Sequence, residues 1–229
     1  MTDHSIKPRK GLLARAFGVI IDPGATFDDI VRRPDAIVPI AFILIIAALG
    51  AVSVLLNLRN LPETTPTGVP MPPPSVTLVI SVIGALFTQL IWWPVRALVF
   101  TGVGSLLGAK VEFARSLAVS GYLNVTAVLS TLISAIAYAT TGHVVTLSLG
   151  MGLSPEQTAT PWGVLLSSVN VFGLTYIVLS TVALARLWGV KASKSAAATV
   201  ILWLIVVAIS AGGVHLGSQF AGMFQMPEQ

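Results

Sequence analysis

The sequence predicts an all-α polytopic membrane protein, a five-transmembrane-helix bundle with short N-terminal interfacial helices. Two observations carry that prediction. The first is the length of the uncharged apolar runs, which occupy residues 36–58, 75–95 (continued after one arginine by 97–109), 116–140, 162–185 and 195–214. At a rise of about 1.5 Å per residue, roughly 20 residues cross a hydrocarbon core of about 30 Å, so each run is long enough. The second is composition: 55% of the 229 residues are hydrophobic and only 10% are charged, a balance that needs lipid as its solvent. Three segments follow: a cytoplasmic or interfacial stretch 1–35, a membrane domain 36–216 and an extracytoplasmic tail 217–229.

In the opening stretch, Leu13, Phe17, Ile20 and Ile21 recur at helical spacing, with Lys7, Lys10 and Arg15 nearby to meet anionic headgroups. This is the pattern of an interfacial helix, and Leu13, Arg15 and Phe17 are its candidate docking residues for a cytoplasmic partner. Arg15 interrupts the apolar patch and no small-residue cleavage pattern follows, so a cleaved signal peptide is not expected. Asp22, Pro23 and Gly24 then break the helix. Thr26 with Asp29 reads as a capping box for a second short helix, which Pro34 ends.

The first connection holds six prolines between Pro62 and Pro74, which favour extended or turn-rich backbone. The second apolar segment, 75–109, is too long for one perpendicular crossing. Pro94 offers a bend, and Trp92 with Trp93 can mark the headgroup level. On that reading, which is the favoured one, Arg96 snorkels into water and 97–109 lies along the inner surface. The alternative is a tilted, continuous helix with Arg96 turned into the bundle, a costly place for a guanidinium without partners. The third connection contains an apolar stretch, 143–153, too short to span and expected at the outer interface.

Eleven of the thirteen lysines and arginines lie before the first span or in the second and fourth connections. Positive flanks are retained on the cytoplasmic side, so the N-terminus is expected in the cytoplasm and the C-terminus outside.

The order Asp22, Pro23, Gly24, Ala25, Thr26, Phe27, a short helix, Pro34 and then Pro39 resembles the opening of the Yip1-domain membrane proteins. Residues 106–113, which include Gly108, Ala109 and Phe113, lead to Ser120, Gly121 and Tyr122 and resemble a second stretch of that family. A third match runs from Leu187, Trp188, Gly189 and Val190 to Lys194, Ser195 and Ala196. Two positions depart from the family pattern: Ala109 stands where a second glycine is usual, and Asn124 where proline is frequent. The resemblance covers roughly Ile20 to His215. It implies a five-helix Yip1-type fold with a cytoplasmic N-terminus. Eukaryotic relatives are associated with vesicle trafficking and small GTPases, and many bacterial relatives have no settled role. No GTPase-binding residue carries over.

The membrane-embedded polar candidates are Arg96, Gln89, Tyr122, Asn124 and Asn170, with Tyr176 also inside a span. Amides in lipid need partners, so Asn124 and Asn170 are expected to point inward and bond across helices. Ser130 with Ser134, and Ala208 with Gly212, recur at the four-residue spacing of close helix packing. No span contains Asp or Glu, which removes carboxylate proton relays and intramembrane aspartyl chemistry. The three histidines are far apart and cysteine is absent, so no metal, cofactor or catalytic residue is expected. Walker, nucleophile-elbow and dinucleotide fingerprints are lacking, and the basic residues hug membrane ends rather than form a nucleic-acid face. The expected function is non-enzymatic: a membrane-organising or accessory binding protein whose partners are the lipid bilayer, other membrane proteins and a second copy of itself. The rival is a transporter or permease moving a lipid or small amphiphile past Arg96, Asn124 and Asn170.

Overall fold

The computed structural model describes residues 11–57, 72–142, 148–158 and 160–224. Lys7, Lys10, most of the proline-rich connection and the start of the apolar stretch at 143 lie outside them. Two short helices come first, α1 (Leu12–Ile21) and α2 (Pro23–Arg32). The turn between them is made by Asp22, whose carboxylate accepts a hydrogen bond from the Ala25 amide at 3.3 Å, with Pro23 at the first helical position. The cap therefore sits four residues before the Thr26 box read from the sequence. Thr26 is instead buried within α2, so close to α1 that a Cβ on Gly18 would stand 2.5 Å from the threonine hydroxyl. Only a hydrogen at Gly18 allows the two helices to meet there.

Then follow α3 (Ile37–Asn57) and α4 (Pro74–Leu106). At 33 residues, α4 is about 50 Å long, and it runs unbroken through Pro94 and Arg96. The departure onto the membrane surface expected at Pro94 does not occur. The reason is local: Arg96 finds acceptors on a neighbouring helix and has no need to reach water.

The third apolar run is two helices, α5 (Phe113–Tyr122) and α6 (Val125–Thr141), separated by a break at Leu123 and Asn124. A four-residue turn, α7 (Pro155–Thr158), is closed by reciprocal bonds between Ser154 and Gln157. The fourth run is also broken, into α8 (Pro161–Ser168) and α9 (Val171–Trp188). Asn170 causes the break: its Oδ1 accepts from the Gly173 amide at 2.8 Å and so caps α9, while Ser148 pairs with it in an isolated antiparallel bridge. The last helix, α10 (Ala192–Phe224), runs past the expected end of its span at 214 and into the segment read as a tail.

Five helical segments are long and apolar enough to cross a membrane: Ile37–Leu56, Pro74–Leu106, Phe113–Thr141, Val171–Trp188 and Ala192–Val214. α3 packs on α4, α5 and α6; α9 packs on α5, α6 and α10; and α2 lies across α5 and α9. The tightest packing is at one end of the bundle. There Val19, Phe27 and Ile30 of α1 and α2 meet Phe42, Phe100, Tyr122, Leu123, Leu184 and Trp188 in one cluster. The outward faces of the long helices are greasy, with Leu44, Phe87, Leu98, Ile136, Val178 and Ile209 all exposed, as lipid-facing residues must be. Ala208 and Gly212 belong to this outer face rather than to a helix contact, while Ser130 and Ser134 are half-buried.

Candidate functional site

Two arginines organise the chain. The first is Arg15, which the sequence places among the headgroup-facing residues of α1 and which the structure turns inward until it is fully buried. Helical periodicity gives α1 two faces. Leu12, Ala16 and Val19 share Arg15's side and pack on the core; Leu13 (77% exposed), Phe17 (65%) and Ile21 (81%) share the other. Arg15 therefore cannot form one docking surface with Leu13 and Phe17.

Inside, Arg15 Nε donates to Asp29 at 2.8 Å, and its Nη1 donates to Asp35 at 2.5 Å and to the Arg33 carbonyl at 3.0 Å. Asp35 also accepts from the Tyr122 hydroxyl at 2.8 Å and from the Val38 amide at 3.4 Å, at the start of α3. The Tyr122 ring stands edge-on to Phe42, with centroids 6.4 Å apart. One guanidinium thus ties α1, α2, the entry to α3 and, through Asp35, α5. Burial alone would lower the proton affinity of Arg15. Its bonds to Asp35 and Asp29 outweigh that effect and hold its pKa above the ordinary value.

The second is Arg96. Its Nη2 donates to the Ser120 carbonyl at 3.0 Å and to Asn124 Oδ1 at 2.5 Å. The break between α5 and α6 supplies both acceptors, because the Asn124 amide turns to the Gly121 carbonyl at 3.1 Å and leaves the Ser120 carbonyl free for the guanidinium. Trp93 reinforces the contact by donating its indole N–H to the Leu117 carbonyl at 2.7 Å. Arg96 also lines a groove of about 310 Å³ between α4, α9 and α10, together with Trp92, Tyr176, Ser180, Thr199 and Trp203.

The structure therefore joins Arg96 with Asn124, and Tyr122 with Arg15. Gln89 is half-buried two turns along α4 from Arg96, and Asn170 serves its own helix as a cap, so neither shares the Arg96 contact. Sequence reasoning missed Asp29 and Asp35 as partners of Arg15, and Ser180 and Thr199 as groove residues. The position of Arg15, about 200° around the helix from Leu13, was the one available signal that it faces away from the apolar stripe. Among the described residues no three His, Cys, Asp or Glu side chains gather where they could hold a metal ion.

Five apolar helices packed together define an integral multi-pass helical membrane protein. The family model for the Yip1 domain matches residues 17–214, nearly the whole chain, and the protein belongs to that family. No curated protein and no solved structure matches it.

Proposed function

We propose that this protein is a non-enzymatic, membrane-organising accessory protein that binds another integral membrane protein through the outward face of α1. The observation that carries the reading is the pairing of an exposed apolar stripe, Leu13, Phe17, Ile20 and Ile21, with a buried guanidinium on the reverse of the same helix. An amphipathic helix that merely floated in the interface would need no such tether. Here the stripe is held at a fixed angle to the bundle, at the end where α2 crosses α5 and α9. A rigid apolar ridge suits a helix of a neighbouring membrane protein at headgroup level, because little ordering remains to be lost on contact.

Copurification from membranes in mild detergent is expected to recover a reproducible membrane-protein partner, lost on Leu13→Ser with Phe17→Ser. The variant should melt like the parent protein, since both side chains are exposed. Recovery of the same partner with the double variant would refute the reading. Arg15 is unsuitable for this test because it acts inside the fold.

We further propose that this end of the bundle faces the cytoplasm. Support comes from Arg15, Arg32 and Arg33 on or just after α1 and α2, and from Lys110, Arg115, Arg186, Lys191 and Lys194 in or within three residues of the α4–α5 and α9–α10 connections. A reporter active only in the cytoplasm should work when fused before residue 1 and fail after Gln229; the reverse pattern would invert the topology. The rival transporter reading has weaker support. The groove beside Arg96 is lined by neither Asn124 nor Asn170, so the three residues do not outline one path.

A further inference from the structure

Hydroxyls in transmembrane helices often return their proton to a carbonyl one turn back, and several here do so. Thr101 bonds Ala97, Ser105 bonds Thr101, Ser168 bonds Val164 and Ser210 bonds Val206. Ser180 and Thr199 do not. Each is almost wholly buried, 1% and 3% exposed, and neither hydroxyl oxygen has a hydrogen-bond partner. Both line the groove between α4, α9 and α10, and so does Arg96, whose Nε is likewise buried without a partner. A buried polar atom left unpaired keeps its desolvation penalty uncompensated, so three of them from three helices around one hollow need an explanation that the bundle itself does not supply.

Charge narrows the explanation. The two acceptors of Arg96 are neutral, an amide oxygen and a backbone carbonyl, and no Asp or Glu lies within the spans to balance it. The complement to a cation and two hydroxyls is an anionic group rich in acceptor lone pairs, and a carboxylate has two oxygens and about four such sites. Position narrows it further. Arg96 lies ten residues before the end of α4 at Leu106, Ser180 eight before the end of α9 at Trp188, and Thr199 seven after the start of α10 at Ala192. All three therefore sit in one layer, roughly 10–15 Å along the helices from the basic end. That is below the headgroups and within reach of an amphiphile's head drawn slightly inward.

Apart from Tyr176 and the two tryptophans, the rest of the groove wall is aliphatic or phenyl, including Val95, Phe100 and Leu184. Its 310 Å³ is at the lower limit of small-molecule pockets, about 300–1,000 Å³, and suits one chain rather than two.

We propose that this groove binds a long-chain fatty-acid carboxylate, with its head on Arg96, Ser180 and Thr199 and its single chain along the apolar wall. Binding needs no transport and does not involve the outer face of α1, so the two proposals stand or fall separately.

Trp92 and Trp203 line the groove and provide the readout. The full chain in nonionic detergent, at alkaline pH where the head is ionised, would be titrated with dibromostearate, with its methyl ester, and with a brominated phosphatidylglycerol. The acid is expected to quench tryptophan fluorescence saturably at a concentration at least tenfold below that of the ester. Arg96→Gln should abolish the difference. Ser180→Ala with Thr199→Val leaves the bonds of Arg96 to Ser120 and Asn124 in place, should melt normally, and should weaken the acid about threefold or more. Trp92→Phe with Trp203→Phe should remove most of the quenching amplitude. Equal quenching by acid and ester would overturn the proposal, as would an unchanged titration in the Ser180/Thr199 variant. Displacement of the acid by phosphatidylglycerol at equal or lower concentration would assign the groove to a two-chain lipid and refute the single-chain claim.

Discussion

Replacing Arg15 by leucine is expected to destabilise the protein by about 3–5 kcal/mol, the cost of leaving buried opposite charges without their partner. The geometry explains why the effect should be so large for a residue outside every span. Asp29 and Asp35 both point at Arg15, and Asp35 is shared with the Tyr122 hydroxyl and the amide that opens α3. Without the guanidinium, two carboxylates face each other beside an apolar cluster, and their repulsion works to pull α2 away from α5 and α9. Thermal unfolding in detergent should report the loss as an earlier transition, and limited proteolysis should show α1 and α2 cut before the bundle. The charge, rather than the volume, is the cause if Arg15→Leu combined with Asp29→Asn and Asp35→Asn regains most of the lost stability. An Arg15→Leu protein that melts like the parent would show that the network contributes nothing net. The pH sign is also fixed. Arg15 has a raised folded pKa, so its contribution is complete below the ordinary guanidinium value and is lost only as the pH rises through the still higher folded one. Between neutral and mildly alkaline pH this contribution should stay level.

The spans were legible because lipid imposes one simple demand, about 20 apolar residues in a row, and the chain meets it five times. What the runs could not reveal is where the backbone breaks inside them. Neither Asn124 nor Asn170 stands beside a proline or a charge; the bonds at both breaks are local, Asn124 N–H to the Gly121 carbonyl and Gly173 N–H to Asn170 Oδ1, and an asparagine inside an apolar run does not by itself show that such a bond forms. Arg15 was misplaced for a related reason. Its partners lie 14 and 20 residues further on, and only the hairpin of α1 and α2 brings them to it. Arg96 posed a clear alternative between water and interior, and the sequence could not decide it, because the acceptors come from an α5 terminus that was itself not visible as a terminus. Ser180 and Thr199 carried no signal at all. A hydroxyl that fails to bond its own helix is a property of the fold, not of the string.

The second large effect expected is at Gly121, where the close approach of three helices leaves no room for any side chain. A Cβ there would stand 2.4 Å from Pro39 Cβ, 2.6 Å from Pro39 Cγ and 2.8 Å from Trp93 Nε1. None of these neighbours can yield cheaply. Pro39 is a rigid ring in the first turn of α3, and Trp93 is fixed by its 2.7 Å bond to the Leu117 carbonyl of α5. Gly121→Ala is therefore expected to cost about 1–3 kcal/mol through overpacking, and Gly121→Leu to prevent a folded monodisperse protein in detergent. Gly102 provides the internal comparison, since a Cβ there meets nothing within 4 Å. Gly102→Ala should be neutral or add up to about 1 kcal/mol, because alanine lowers the entropy cost of a helical position. Opposite signs for the same substitution in one membrane domain would locate the strain at the α3, α4 and α5 crossing. That crossing also sets where α5 ends, and so where the Ser120 carbonyl and Asn124 meet Arg96. Gly121→Ala should thus weaken dibromostearate quenching as well as stability, whereas Gly102→Ala should leave both intact; matching melting curves for the two variants would show that helix propensity, not the tight crossing, governs this part of the fold.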